Sequence, residues 1–91
     1  EACRLLGSPE IIQISDVELI EKKYVGRKYG APTPQSEDAI RRLVRLEGIL
    51  LDPTYTAKAF AGLLDLADTG ALGDDEPIIF WHTGGLPGLF A

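Results

Sequence analysis

Two short apolar runs that alternate with two helix patterns constrain this sequence most. Residues 49–51 (ILL) and 78–81 (IIFW) are continuous apolar runs, and turn-forming residues follow each of them directly. Short runs that are apolar on both faces are typical of strands buried in a parallel sheet. One helix pattern precedes the first run and a second separates the two runs. The sequence therefore predicts an α/β fold with parallel strands and packed helices.

Both helix patterns have recognisable ends. The first is predicted over residues 36–47, from an N-cap at Ser36 to a stop at Gly48. The second is predicted to open with Asp52 as N-cap and Pro53 at the first helical position, and to end at Gly70. Helical spacing predicts apolar stripes at Ile40, Leu43 and Val44 in the first helix and at Phe60, Leu63, Leu64 and Ala67 in the second.

The rest of the chain has weaker local signals. Residues 1–6 are interpreted as the end of a helix that stops at residues 7–9 (GSP), and residues 11–25 fit either a short helix or a strand. Residues 26–35 hold two glycines and two prolines, which predicts a stiff loop with Tyr29 at its centre. Residues 86–90 are predicted to form a last short helix or turn.

Length and charge exclude several classes of protein. A chain of 91 residues is one small or partial domain, and its net charge of −5 argues against nucleic-acid binding. No run of about 20 apolar residues is present, so no membrane span is expected. A single cysteine and a single histidine cannot make a structural zinc site, and no metal is expected. We expect a cytoplasmic protein, and the absence of an initial Met leads us to expect a piece of a longer chain.

Three junctions carry polar groups that could serve a site. The first is residues 52–56 (DPTYT), where a predicted strand becomes a helix whose N-terminus can bind a ligand. The second is residues 82–85 (HTGG), where paired glycines allow a ligand to approach the backbone. The third is Tyr29 in its stiff loop. Ordinary capping, a tight turn and structural packing would produce the same three patterns, and Lys58 is expected to be a surface lysine.

Three longer motifs occur together and in order. They are residues 29–34 (YGAPTP), 47–59 (EGILLDPTYTAKA) and 82–90 (HTGGLPGLF). Together they resemble the C-terminal region of the D-cysteine desulfhydrase and 1-aminocyclopropane-1-carboxylate deaminase family. The resemblance covers residues 24–91 well and residues 1–23 weakly. It implies the C-terminal portion of a fold type II, tryptophan synthase β-like enzyme that depends on pyridoxal phosphate (PLP).

The resemblance also implies roles for particular residues. Tyr29 matches a loop tyrosine near the substrate, and Tyr55 matches the second active-site tyrosine, which is implicated in ring opening in the deaminases. Thr56 matches the residue that faces the pyridine nitrogen of PLP, and Thr83 matches a residue beside the same ring. The backbone at Gly84 is expected to approach the cofactor as well.

Thr56 and Thr83 also bear on the choice of reaction. The deaminases typically carry Glu and Leu at these positions, whereas the desulfhydrases carry small hydroxyl residues. A carboxylate keeps the pyridine nitrogen protonated and makes the ring a strong electron sink, and a neutral hydroxyl makes it a weaker one. A weaker sink suffices when a good leaving group such as sulfide departs. The resemblance therefore favours β-elimination of D-cysteine to pyruvate, ammonia and sulfide.

The family's Schiff-base lysine and phosphate-binding loop belong to upstream segments, and no residue here matches them. We therefore expect the chain to be inactive without that upstream part, which would be its partner, and we expect the enzyme to be a homo-oligomer acting on a small amino acid. The alternatives are the deaminase activity and a non-catalytic remnant or interaction module.

Overall fold

The computed structural model describes residues 5–7, 12–20 and 23–90 of the chain. Two α-helices dominate these residues: α1 spans Pro34–Glu47 and α2 spans Thr56–Asp68. Two short 3-10 helices span Ile14–Asp16 and Leu86–Phe90, and the second confirms the short helix predicted there. Of the predicted N-terminal helix and its stop, residues 1–4, 8 and 9 lie outside the described residues.

Helix α1 begins two residues earlier than predicted. Thr33 is the N-cap, and its hydroxyl accepts a hydrogen bond from the Ser36 backbone N–H at 3.0 Å. The Ser36 hydroxyl in turn accepts from the Thr33 N–H at 2.9 Å, which completes a reciprocal capping box. Ser36 therefore lies inside the first turn and is fully buried. The predicted stop is confirmed, because Gly48 has a φ of 68° and its N–H bonds to the Val44 carbonyl.

Helix α2 packs on α1, and its buried apolar positions hold small residues. Ala57, Ala61 and Gly62 are buried, whereas the predicted stripe of Phe60, Leu63 and Leu64 is only half-buried. Ala67, the fourth residue of that stripe, is exposed. Small side chains let the two helix backbones approach closely, so steric fit overrides the spacing of the larger residues. The buried core is Ala39, Leu51, Ala57 and Ala61, flanked by Ile40, Leu43, Phe60, Leu64 and Phe80.

The predicted parallel strands are not confirmed. The described residues contain no β-strand, and residues 48–52 and 77–85 run without regular secondary structure. Leu51 is fully buried, but Ile79 is 87% exposed and Trp81 is 80% exposed. A strand exists only when a neighbouring strand takes its backbone hydrogen bonds, and no described segment lies in that position.

Residues 12–20 form neither the helix nor the strand that the sequence allowed, apart from the single 3-10 turn at Ile14–Asp16. Residues 26–33 form the predicted loop, with positive φ at Gly26 and Gly30, while Pro34 and Gln35 belong to α1. No helix among the described residues is long and apolar enough to cross a membrane.

Candidate active site

A cavity of about 580 Å³ lies where the N-terminus of α2 meets the Tyr29 loop and the segment after Phe80. Four of the five residues predicted for the site line this cavity: Tyr29, Tyr55, Thr56 and Thr83. They come from three motifs that are far apart in the sequence. The structure therefore brings the three motifs together around one cavity. The fifth predicted residue, Gly84, follows Thr83 but is not part of the cavity lining.

The two tyrosines form a pair at the mouth of the cavity. Their hydroxyls are hydrogen-bonded to each other, and their rings meet edge-on with centroids 5.9 Å apart. Tyr29 is 74% exposed and Tyr55 is 54% exposed. The hydrogen bond to Tyr29 is the main reason that the pKa of the Tyr55 phenol is raised above its usual value. Because one hydrogen bond joins two hydroxyls, one of the two phenol protons is left free to donate to another group.

The residues around the start of α2 are organised by Asp52, which is 1% exposed. One carboxylate oxygen accepts from the N–H groups of Thr54 and Tyr55 at 2.8 and 2.7 Å. The other accepts from the Thr56 N–H at 2.8 Å and from the Thr56 hydroxyl at 2.6 Å. The predicted helix start is wrong: Tyr55 is the N-cap, residues 53–55 form a turn, and the helix begins at Thr56 rather than at Pro53. The Asp52 carboxylate draws this turn together because it accepts the N–H groups of residues 54–56.

Burial and hydrogen bonding act on Asp52 in opposite directions. Burial by itself raises the pKa of the carboxyl group, and the bonds from Thr56, Tyr55 and Thr54 lower it. The result is a pKa below the usual value, so the group is ionised at neutral pH. The fourfold acceptor role of Asp52 was not predicted from the sequence. A hydroxyl residue four positions after that aspartate is the signal that could have shown it.

The turn at residues 82–85 is fixed to the same structure. The His82 ring donates from Nε2 to the Leu50 carbonyl at 2.7 Å and accepts the Gly84 N–H at Nδ1 at 3.1 Å. Gly84 and Gly85 have φ values of 102° and 89°, which strongly favour glycine. A Cβ on Gly85 would lie 2.6 Å from the Asp52 carboxyl carbon. The second glycine is therefore needed for contact with Asp52.

Lys58 is not the surface lysine that the sequence suggested. It is 8% exposed and lines the cavity, and its ammonium donates to the Val25 carbonyl at 2.6 Å. This bond ties α2 to the loop that carries Tyr29. Sequence reasoning missed it because the partner is a backbone carbonyl 33 residues away.

Known proteins place the chain in a family. Residues 3–84 match the sequence profile of the pyridoxal-phosphate dependent enzymes, and the chain belongs to that family. Over 68 residues it is 56% identical to a D-cysteine desulfhydrase of Yersinia enterocolitica. Those residues are 75% of this chain and 21% of that enzyme, so the chain spans about a fifth of its relative's length. The resemblance drawn from the sequence and the PLP cofactor of the family are thereby confirmed.

The cavity fits the ring of PLP. Phe80 and Leu63 provide apolar wall, and Thr56 and Thr83 are polar residues of the same lining, a composition suited to a heteroaromatic ring. The one lysine among the described residues that line the cavity is Lys58, and its ammonium bonds to a backbone carbonyl. These residues are therefore suited to hold the ring face of the cofactor rather than to attach it covalently.

Proposed function

We propose that this chain forms the wall around the cofactor ring in a PLP-dependent β-eliminating lyase that converts D-cysteine, or a similar β-substituted amino acid, to pyruvate, ammonia and sulfide. The observation that carries the proposal is the single cavity lined by Tyr29, Tyr55, Thr56 and Thr83. The similarity to a D-cysteine desulfhydrase supports the substrate class.

We assign Tyr29 and Tyr55 to the substrate side of the cavity. The pair is exposed, and its two hydroxyls share one hydrogen bond, so one of the two phenol protons stays free for a substrate group. Tyr29 orients Tyr55 through the same bond. When bound, PLP supplies the electron sink that stabilises negative charge at the substrate α-carbon.

We assign Thr56 and Thr83 to the cofactor ring. Thr56 is 2% exposed and is held by three hydrogen bonds to Asp52, so its position is fixed before any ligand binds. Thr83 precedes Gly84 in the turn that His82 anchors. Gly84 has no side chain to obstruct an approaching ring, and we include its backbone in the cofactor site.

Catalysis in this proposal needs the remainder of a desulfhydrase-like enzyme, which would bring the Schiff-base lysine and the phosphate-binding loop. Residues 49–51 and 78–81, which have no regular secondary structure here, would then join the parallel sheet of that part as strands, because the open edge of a sheet readily pairs with a further strand. Exposed Ile79 and Trp81 support this contact. A homo-oligomeric assembly and a cytoplasmic location stay predictions from the sequence.

A mixing experiment tests the proposal. The chain is incubated with PLP, alone and with the upstream part of a D-cysteine desulfhydrase, while cofactor absorbance and sulfide release from D-cysteine are recorded. We expect bound-cofactor absorbance and sulfide only in the mixture. If mixing restores neither signal, the chain is a folded remnant. If the mixture cleaves 1-aminocyclopropane-1-carboxylate and releases no sulfide, the substrate assignment is wrong.

Matched variants separate the cavity from general stability. Thr83→Val removes a hydroxyl from the cavity wall, and Thr69→Val removes one from the exposed end of α2. We expect the first to reduce sulfide release in the mixture and the second to leave it unchanged. Equal effects of the two variants would count against a cofactor-ring role for Thr83.

A further inference from the structure

Lys58 is a buried charged residue that the proposed reaction does not use. Its side chain is 8% exposed, and its ammonium donates to the Val25 carbonyl at 2.6 Å. No carboxylate of the described residues lies within ion-pair distance of it. Burying an ammonium against a neutral carbonyl costs free energy that an apolar side chain of similar length would not. Packing alone does not account for a lysine here, whereas a need to hold the Val25 carbonyl does.

The Val25 carbonyl lies at the base of the Tyr29 loop. Gly26, the next residue, has a φ of 84°, and a Cβ there would lie 2.6 Å from the Thr33 methyl carbon and 4.0 Å from the Lys58 ammonium nitrogen. Thr33 is the last residue before α1 and its N-cap. The two ends of the loop therefore meet at one point, and Lys58 attaches this closed base to α2.

The loop contacts the start of α2 at a second point. The Tyr29 hydroxyl bonds to that of Tyr55, three residues before Lys58, and all three side chains line the cavity. The tyrosine contact is exposed to water, which competes for phenol hydrogen bonds, whereas the Lys58 contact is charge-assisted and partly buried. The contact at the base is therefore the stronger of the two, and it determines where the exposed contact can form.

We propose that Lys58 is a positioning residue, which fixes the base of the Tyr29 loop on α2 and thereby holds the Tyr29 hydroxyl against that of Tyr55. The inference rests on the proposed function, in which this pair faces the substrate. Without the Lys58 bond, the loop keeps the turns that its glycines define but loses its fixed distance from α2. The pair then opens, and its free phenol proton is no longer directed to one place.

The test uses the complete PLP-loaded enzyme that contains this region, with Tyr55 labelled as a fluorotyrosine whose fluorine NMR shift reports ionisation of the phenol. Lys58→Met keeps the length of the side chain and removes the donor. Because the bond from Tyr29 raises the pKa of Tyr55, loss of the pair should lower that pKa. Removal of a nearby cation would by itself raise the pKa of a phenol. The direction of the shift therefore separates a lost contact from a lost charge.

A double-mutant cycle with Tyr29→Phe tests whether Lys58 acts through the tyrosine pair. We expect Lys58→Met alone to lower kcat/KM for sulfide release from D-cysteine about tenfold, because a displaced catalytic group is poorly oriented. In the Tyr29→Phe background the same substitution should cost less than about twofold, since the contact that Lys58 maintains is already absent. Cofactor absorbance confirms that all four proteins hold PLP equally.

Three further variants complete the design. Lys28→Met removes an exposed lysine of the same loop and should leave the titration and the rate unchanged. Lys58→Arg keeps a charged donor and should behave like the unsubstituted enzyme. Lys58→Gln ends one bond short of the ammonium position, so it cannot hold the Val25 carbonyl and should behave like Lys58→Met. If Lys58→Met does not fold, the comparison of arginine with glutamine at position 58 decides the question.

The proposed function and this inference can fail separately. An unsubstituted enzyme that binds no PLP, or that releases no sulfide from D-cysteine, would overturn both. If that enzyme is active, the inference alone is wrong when Lys58→Met leaves the Tyr55 titration or the rate unchanged, raises the pKa of Tyr55, or slows sulfide release equally in both backgrounds. A lowered Tyr55 pKa, with a rate loss confined to the background that retains Tyr29, supports it.

Discussion

At the scale of single residues, the most consequential group is the Asp52 carboxylate. It accepts the first N–H of α2, fixes the Thr56 hydroxyl and packs against Gly85, so it joins two of the three motifs that line the cavity. It is buried without a cationic partner among the described residues, and neutral donors alone stabilise its charge. Removing that charge should therefore affect stability as well as the site.

We expect Asp52→Asn to lower the free energy of unfolding by about 1 to 3 kcal/mol at neutral pH, because hydrogen bonds to a charged acceptor are lost. The pKa of Asp52 is lowered in the folded chain. Its contribution is therefore complete above the unfolded carboxyl pKa of about 3.9 and is lost as the pH falls through the lower folded value. Urea unfolding at a series of pH values should show the two proteins converging in acid.

The exposed Asp38→Asn variant is the control, and its stability should stay parallel to that of the unsubstituted chain. A constant difference between Asp52→Asn and the unsubstituted chain down to the acid limit would contradict the ionised state of Asp52.

The tyrosine pair gives a second prediction at this scale. Tyr29→Phe removes the hydrogen bond that raises the pKa of Tyr55. We expect the pKa of Tyr55 to fall towards the ordinary phenol value of about 10. Phenol titration by NMR with carbon-13-labelled tyrosine measures this directly, since the chain has three tyrosines. Tyr24→Phe is the control, because the Tyr24 hydroxyl donates to Asp65 instead. An unmoved Tyr55 titration in Tyr29→Phe would mean that the pair does not form.

At the scale of elements, α2 is held between two neighbours by its small residues. One side packs on α1, and the ring of Tyr24 lies against Gly62, where a Cβ would meet ring carbons at 3.3 Å. Tyr24 itself is anchored to Asp65 one turn further along the same helix. The absence of a side chain at residue 62 thus positions the segment that precedes the Tyr29 loop.

We expect Gly62→Val to destabilise the chain by about 1 to 3 kcal/mol, because the added branch must displace the Tyr24 ring. Ala67→Val, at an exposed position of the same helix, carries the helix-propensity cost of valine without the clash. Thermal or urea unfolding of both variants measures the difference. Equal stabilities would show that Tyr24 does not pack on Gly62.

Lys58 gives a second prediction at the scale of elements, since it connects α2 to the Tyr29 loop. Lys58→Met keeps most of the side-chain volume and removes the donor to the Val25 carbonyl. We expect faster hydrogen exchange in the loop, most clearly at the Ala31 N–H, which bonds to the Lys28 carbonyl. Lys28→Met, an exposed lysine in the same loop, is the matched control. Unchanged exchange in Lys58→Met would show that the bond does not restrain the loop.

At the scale of the whole molecule, the chain is extended for its length. Its radius of gyration is 15.5 Å, whereas a compact domain of this size would have one of about 12 Å. Only four hydrophobic residues are buried among the described residues, and several large apolar side chains, including Ile79 and Trp81, are mostly exposed. The contact with the rest of the enzyme that we propose would cover this exposed apolar surface.

Trp81 provides a probe of that contact, because it is the single tryptophan of the chain. We expect a fluorine-labelled Trp81 to change its NMR shift and to lose solvent accessibility when the upstream part of a desulfhydrase is added. The physical reason is burial of an indole that is 80% exposed here. The unsubstituted chain mixed with an unrelated acidic protein is the control. An unchanged signal during recovery of activity would place the contact elsewhere.

The sequence by itself determined the features that depend on neighbouring residues. Thr33, Gly48 and Asp52 act within a few residues, and caps and left-handed glycines leave local signatures that fixed α1, α2 and the Tyr29 loop to within a few residues. The four cavity residues Tyr29, Tyr55, Thr56 and Thr83 were also predicted, but from the family resemblance. Local patterns do not show that three distant motifs meet.

Only the tertiary structure decided the features that need distant partners. The burial of Lys58, the pairing of Tyr29 with Tyr55 and the contact of Gly85 with Asp52 all join residues more than 25 positions apart. The strands predicted at residues 49–51 and 78–81 failed to appear among the described residues for the same reason. A helix satisfies its backbone hydrogen bonds within itself, whereas a strand depends on a neighbour that its own sequence does not specify.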